Sequence, residues 1–236
     1  MRKIIMATCG VIRMKDSAWV SVRIQVVGGR FNAESLEPLA WIAQKYGSGE
    51  IHFTTRQGLE IQDIPAEKTD EVLKALADAG IPAGGTGPHV RTVSACPGTA
   101  CRFGIIDAQR LAQRIFDQVK DRTLTHKFKI ATTGCPNSCA KPITNDFGVQ
   151  GLRKEGQTAY VIFVGGNCGR RVRLADKLPF VCHTEDEVVA VLNDTLDWFC
   201  AHGQAKERLA AVMERLGVGT LIEHLQTAHG ARGGKQ

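Results

Sequence analysis

The chain of 236 residues lacks several features that would each assign it to a familiar class. It contains no run of about 18 apolar residues, so we expect no membrane-spanning helix and no membrane partner. The apolar patch in the opening stretch MRKIIMATCG is too short for a signal peptide, and a cytoplasmic location is expected. There is no tandem repeat, and low complexity is confined to the terminal ARGGKQ.

Signatures of several binding sites are missing as well. The seven histidines form no HxxxH or HExxH pattern, which argues against a histidine-based metal site. No nicotinamide or flavin fingerprint is found, and GGTG at residues 84–87 lacks the strand–turn–helix context of a phosphate loop. Aromatic residues make up 6% of the chain and do not interleave with basic ones, so no nucleic-acid partner is expected.

The composition indicates a folded, basic protein that contains several cysteines. A hydrophobic content of 43% supports a substantial core. The net charge of +6 and the sequence pI near 9.0 suggest an anionic partner: nucleic acid, an acidic cofactor or an acidic electron donor. Eight cysteines without an export signal are better explained by metal ligation or redox chemistry than by disulfides.

Hydrophobic periodicity predicts a ferredoxin-like half-domain over residues 1–80. In SAWVSVRIQVV, Val20, Val22 and Ile24 alternate with polar residues, so Arg23 should point away from the aliphatic face. A helix ending at Gly47, two strands in EIHFTTRQGLEIQDI and a helix over 66–79 complete a β-α-β-β-α order. The segment IPAGGTGPH at 81–89 is the expected boundary.

The second domain, residues 81–236, is predicted to be α/β with C-terminal helices, which makes the whole chain α+β. Expected elements are a short strand VRTVS, a helix over 105–120, the strand HKFKIATT, and strands around FGVQG and TAYVIFVGG. In HKFKIATT, Lys127 and Lys129 share the face opposite Phe128 and Ile130. A capping box over 184–187 opens the C-terminal helices.

Four of the cysteines form two close pairs. Cys96 and Cys101 make a CxxxxC pair, and Cys135 and Cys139 make a CxxxC pair after a helix and a strand. Such a set suits a [4Fe-4S] cluster or a four-cysteine zinc site, and the wide intervals favour the larger cluster. A proline follows the first cysteine of each pair and stiffens its loop, so nearby amides can point at sulfur. The remaining cysteines are expected to be structural: Cys9, Cys168, Cys182 and Cys200.

A family resemblance rests on several short strings that occur in order. TGCPNSC at 133–139 resembles the cluster-binding segment of the siroheme-containing nitrite and sulfite reductases. VRIQVVGG at 22–29, FTTRQ at 53–57, KFK at 127–129 and VGGN at 164–167 are similar to further segments of that family. The first cysteine pair has one fewer intervening residue than is usual. Larger members carry two copies of the unit, so this single copy resembles the small, minimal type of sulfite reductase.

The resemblance implies roles for individual residues. Siroheme is a tetrapyrrole carrying several carboxylates, so a protein that buries it needs cationic and amide donors. By resemblance, Cys139 bridges the cluster and the siroheme iron, and Gln57 and Asn167 make neutral cofactor contacts. The residues implied to hold cofactor carboxylates or to face the open axial position are Arg23, Arg56, Arg91, Lys127 and Lys129. Of these, Arg23, Arg91, Lys127 and Lys129 are also implied to be catalytic.

The expected function is the six-electron reduction of sulfite to sulfide, with reduction of nitrite to ammonia as an alternative. A siroheme and iron–sulfur electron-transfer protein without turnover, and a zinc-stabilised nucleic-acid binder, are the other classes considered. Because no flavin or nicotinamide site is found, electrons are expected from a separate donor protein such as a ferredoxin. The chain is expected to be a monomer or a homodimer.

Overall fold

The glycine- and proline-rich segment at 81–89 contains the boundary between two units. The computed structural model describes residues 10–230, and its first unit ends at Gly87 while the second begins at Pro88. The division therefore falls a few residues beyond the predicted end of the first domain at residue 80. Within the described range, no helix has both the length and the apolar character needed to cross a membrane.

The first unit is a four-stranded antiparallel sheet with two helices. Val20, Val22 and Ile24 are buried, as their alternation predicts, and form one core with residues of both helices. The strand order is β1-β2-β4-β3, and the short β1 is an addition to the predicted elements. The elements are β1 (Val11–Arg13), β2 (Trp19–Ile24), α1 (Leu36–Tyr46), β3 (Ile51–Phe53), β4 (Leu59–Pro65) and α2 (Thr69–Asp78).

The second unit is built on a mixed five-stranded sheet. Its strands run in chain order from β5 to β9, the first three parallel and the last two antiparallel. The strands are β5 (Ser94–Ala95), β6 (Ile130–Thr133), β7 (Phe147–Lys154), β8 (Gln157–Val164) and β9 (Asp176–Cys182). The helices are α3 (Ala108–Val119), α4 (Glu185–His202), α5 (Leu209–Leu216) and α6 (Val218–His229).

Two elements of this unit differ from the sequence prediction. The predicted strand VRTVS is reduced to the two residues of β5, with Val90 making only an isolated parallel bridge to Phe128. The strand β9 was not predicted, because a proline and charged residues interrupt its apolar pattern. A proline is tolerated there since β9 is an edge strand that pairs with β8 alone.

The parallel pairing of β5 and β6 places the two cysteine segments side by side. Ser94 lies opposite Ala131 and Ala95 opposite Thr132, so both strands leave the sheet at the same edge. The connection between them runs through α3, whose first residue accepts a hydrogen bond from the Thr132 hydroxyl at 2.9 Å through its carbonyl oxygen. The cysteine that follows each strand is thereby brought to one edge.

Candidate functional site

The two cysteine loops are joined by hydrogen bonds at the edge where β5 and β6 end. The Cys96 sulfur accepts N–H groups from Gly134 at 3.0 Å and from Gly98 at 3.4 Å. The carbonyl oxygen of Gly134 accepts the amides of Ile105 and Ile106 at 2.8 and 3.2 Å. Amides therefore point at sulfur, as the sequence suggested, and the first loop is tied to the start of the second.

Glycine is required where the loops meet. Gly98 has a φ of +61°, and a Cβ on it would lie 2.6 Å from the amide nitrogen of Ala108. A Cβ on Gly134 would lie 3.0 Å from the Gly98 Cα, so the two backbones are in direct contact. The loops can approach this closely only because neither glycine carries a side chain.

The second cysteine loop has an unusual backbone. Ser138 and Lys141 adopt left-handed conformations with φ of 59° and 51°, which non-glycine residues rarely do. The Ser138 hydroxyl accepts a hydrogen bond from the Gln150 side chain at 3.0 Å, which ties the loop to β7. Cys135 is buried and Cys139 is exposed at the far end of the loop. Such strain is typical of segments that hold a ligand.

The four thiols suit a [4Fe-4S] cluster. The four irons of such a cube each take a separate thiolate. Two adjacent loops carrying four thiols, with amides directed at one sulfur, therefore suit the larger centre.

The other cysteines lie elsewhere. Burial, with a smaller contribution from Glu187, raises the pKa of Cys182 to about 12, so its thiol stays protonated and inert. Cys168 is exposed in the loop after β8, and Cys200 is half-buried in α4. Cys9 lies outside the described residues. A structural role remains the prediction for all four.

Three of the predicted basic residues come together before β6. Phe128 is fully buried, while Lys127 and Lys129 on either side of it are half-buried, as the alternation predicts. The Arg91 amide donates to the Phe128 carbonyl at 2.7 Å, so Arg91 runs alongside the lysine segment. Burial first, then the charges of Arg208 and Arg91, lower the pKa of Lys127.

Arg208 and Asp146 also belong to this group, and no motif in the sequence indicates either residue. The Arg208 guanidinium binds the buried Asp146 carboxylate through Nε at 3.1 Å and Nη2 at 2.6 Å. The two residues are 62 positions apart, and neither lies in a recognisable motif, so no local signal could have paired them. We call the set Arg91, Lys127, Lys129, Arg208 and Asp146 the cationic cluster.

The cationic cluster and the cysteine loops lie at opposite ends of one strand. Lys129 immediately precedes β6, and Cys135 follows it after Gly134, so six residue steps, roughly 20 Å of extended chain, separate the two residues. Adjacency in sequence therefore does not place the lysine side chains against the cysteines.

The predicted residues of the first unit have partners of their own. Arg23 forms an ion pair with Glu60, with Nη2 2.5 Å from the carboxylate oxygen. Arg56 and Gln57 lie in the turn between β3 and β4, where Gln57 is exposed and has a φ of 62°. The neighbouring Phe53 is 74% exposed. A cofactor role for these residues remains a prediction.

Asn167 is held by the protein on both sides of its amide. Its Oδ1 accepts from Arg208 at 3.0 Å, and its Nδ2 donates to the Arg171 carbonyl at 2.9 Å. Its backbone exchanges two hydrogen bonds of 2.8 Å with Arg173, which closes the loop after β8. The cofactor contact predicted for Asn167 remains a prediction, and its hydrogen bond with Arg208 links it to the cationic cluster.

Comparison with known families identifies the chain. Residues 86–232 match the nitrite and sulphite reductase 4Fe-4S domain, and residues 12–79 match the nitrite/sulfite reductase ferredoxin-like half domain. The chain belongs to the nitrite and sulfite reductase family. Membership confirms the predicted α+β fold with a ferredoxin-like half-domain, and the expected siroheme and [4Fe-4S] cofactors.

Individual relatives carry both substrate names. The coenzyme F420-dependent sulfite reductase of Methanocaldococcus jannaschii is 28% identical over 84% of this chain and 41% of its own length. The assimilatory ferredoxin-dependent nitrite reductase of Haloferax mediterranei is 30% identical over 92% of this chain and 38% of its own length. This chain thus spans about two fifths of either relative.

A solved structure shows the same fold. The crystal structure of dissimilatory sulfite reductase I superimposes with a TM-score of 0.81 at 19% identity, covering 88% of this chain and 69% of the other.

The glycine contact between the loops leads to a test of the cluster site. Gly98→Ala introduces a Cβ that meets backbone, so the Cys96 loop must shift, and we expect less than half of the parental iron and acid-labile sulfide per chain. Gly156→Ala is the matched control, because Gly156 also has a positive φ, +81°, but open space around it. Both variants pay roughly 1–2 kcal/mol for the left-handed backbone. Full iron content in Gly98→Ala would contradict the packing argument.

Proposed function

We propose that the chain catalyses the six-electron reduction of sulfite to sulfide in the cytoplasm, using siroheme coupled to a [4Fe-4S] cluster. The observation that carries the proposal is that one unit holds both a four-thiol loop pair and a cluster of cations, separated by a single short strand. The thiols suit the iron–sulfur centre. The cations suit the carboxylates of siroheme and a small oxyanion.

Siroheme coupled to a [4Fe-4S] cluster supplies an anion-binding iron and the one-electron transfers that this reduction requires. The four paired cysteines would hold the cluster, with Cys139 as the residue shared with siroheme. The residues proposed to bind siroheme are Arg23, Arg56, Gln57, Arg91, Lys127, Lys129 and Asn167. Among these, Arg23, Arg91, Lys127 and Lys129 are proposed to act on the substrate.

The lysines and arginines have different tasks in this proposal. Removing oxygen from sulfite as water requires protons as well as electrons, and a group with a pKa nearer to neutrality donates them better. Lys127 meets this requirement because burial and the neighbouring arginines lower its pKa. Arginine stays charged at all relevant pH values, so Arg91 orients and neutralises the oxyanion but does not give up a proton.

Nitrite reduction to ammonia is the second candidate. Nitrite is also a small oxyanion, and the same cations would bind it and protonate its departing oxygens. The Haloferax mediterranei relative favours this substrate by name, whereas the Methanocaldococcus jannaschii relative favours sulfite.

The test is made on anaerobically purified holoenzyme. We expect chlorin-like absorption bands and about five irons per chain, four from the cluster and one from siroheme. With reduced methyl viologen as donor, kcat/KM for sulfite should exceed that for nitrite. The reverse order would make nitrite the substrate. Turnover of neither anion by a fully loaded sample would support an electron-transfer protein, and zinc in place of iron would overturn the proposal.

Removing one lysine should lower turnover without removing the cofactors. We expect Lys127→Gln and Lys129→Gln each to reduce kcat on the order of 10²-fold, because each removes a charge that stabilises the developing transition state. Lys177→Gln is the control, since Lys177 is an exposed lysine of β9. If Lys127→Gln and Lys129→Gln both keep the parental kcat and normal absorption spectra, these lysines are not catalytic.

The electron donor is proposed to be a separate acidic protein such as a ferredoxin. The net charge of +6 favours such a partner, and attraction between opposite charges accelerates encounter at low ionic strength. Raising ionic strength from about 0.01 M to about 1 M shortens the screening length from roughly 30 to 3 Å. The rate constant for reduction by a reduced ferredoxin should then fall about tenfold or more. Stopped-flow rates that do not depend on salt would exclude electrostatic docking.

A further inference from the structure

Asp146 is a fully buried carboxylate in the second unit, and its side chain accepts three hydrogen bonds. Its side chain has no exposed surface, and burial raises its pKa while Arg208 and the Lys129 amide oppose that rise. Its Oδ2 accepts the Lys129 amide at 2.7 Å and Arg208 Nη2 at 2.6 Å, and its Oδ1 accepts Arg208 Nε at 3.1 Å. A buried carboxylate is retained at low cost only when it is paired and hydrogen-bonded in this way.

Two consecutive residues, Asp146 and Phe147, bind the N–H and the carbonyl group of Lys129. Its N–H donates to the Asp146 side chain, and its carbonyl oxygen accepts the Phe147 amide at 3.1 Å. Asp146 is itself anchored, because its carbonyl oxygen accepts the Gly165 amide at 2.8 Å. The position of the lysine segment thus depends on where the Asp146 carboxylate lies.

Arg208 sets the position of that carboxylate from the far side. Arg208 lies immediately before α5. Its two parallel hydrogen bonds to Asp146 fix both the distance and the plane of the carboxylate. Its third nitrogen, Nη1, donates to Asn167 at 3.0 Å. With its side chain only 13% exposed and three contacts made, Arg208 is a fixed charge rather than a mobile surface one.

The same guanidinium acts on Lys127. The charged groups facing Lys127 are Arg208, Arg91 and Asp146, and the neighbouring His126 experiences the same cations. Of these, Arg208 contributes more than Arg91 to lowering the pKa of Lys127, and Asp146 acts in the opposite direction. Arg208 therefore affects both lysines, one through the backbone and one through its field.

We propose that Arg208 is a positioning residue for the lysine segment: through Asp146 it holds the Lys129 main chain in place, and it fixes a positive charge near Lys127. The importance of this role for catalysis rests on the function proposed above. The contacts and charges themselves involve only residues of the second unit. It assigns a role in the lysine site to a residue outside every motif of the sequence.

The test measures Lys127 directly in the full-length holoenzyme. The protein is acetylated with a limiting amount of reagent at pH 7, and mass spectrometry gives the acetylated fraction of Lys127 divided by that of the exposed Lys177. Because only the neutral amine reacts, this labelling ratio reports how much of Lys127 is unprotonated. Removing the positive charge in Arg208→Gln raises the Lys127 pKa, so the labelling ratio should fall roughly threefold or more, since each pKa unit is tenfold in neutral amine. Arg215→Gln is the control, because Arg215 makes a comparable bidentate pair with Glu207 on the surface.

A second variant separates the charge from the geometry. Arg208→Lys keeps a positive charge beside Asp146 but loses the bidentate fork. We expect near-parental Lys127 labelling, and hydrogen exchange at the Lys129 amide faster by about tenfold, which corresponds to about 1.4 kcal/mol. This variant also keeps the test decisive if Arg208→Gln fails to fold.

Two results would overturn the inference: an unchanged Lys127 labelling ratio in folded Arg208→Gln, or unchanged Lys129 exchange in Arg208→Lys. Neither readout requires turnover, so an enzyme inactive toward sulfite would contradict the proposed function and leave these two measurements interpretable.

Discussion

The parallel pairing of β5 with β6 determines where the chemically important side chains of the second unit lie. Four residues in register bring Cys96 and Gly134 to the same sheet edge, where amides meet sulfur and two glycine backbones touch. The opposite end of β6 continues into the lysine segment, held by Asp146 and bridged to the segment that carries Arg91. A single short strand therefore sets the separation between the thiol loops and the cations, and a change in its register would move both.

Much of this arrangement could be predicted because its signals are local. Two cysteine pairs with following prolines, and lysines alternating with Phe128 and Ile130, are visible within a few residues of sequence, and burial follows that alternation. The capping box at Thr184 was also readable, and its hydroxyl does accept the Glu187 amide at 3.2 Å.

What could not be predicted depends on contacts between distant segments. Arg23 was expected to point away from the core, which it does, but nothing near it indicates that Glu60 across the sheet neutralises it. Arg208 and Asp146 are farther apart still, and an isolated arginine before a helix reads as a surface charge. The net charge likewise does not show which charges are paired: the helix arginines Arg110 and Arg114 both form ion pairs with Glu185.

The cationic cluster concentrates positive charge around one buried carboxylate. Arg208 and Arg91 lie close enough to Lys127 to lower its pKa, and lysine, unlike arginine, can respond by releasing its proton. One buried carboxylate offsets part of this repulsion, yet its two oxygens are already committed to Arg208 and the Lys129 backbone. Positive charge concentrated in this way attracts anions. A half-buried lysine whose pKa is lowered beside two arginines is typical of functional sites, and this supports the proposed binding of carboxylates or small oxyanions at the cationic cluster.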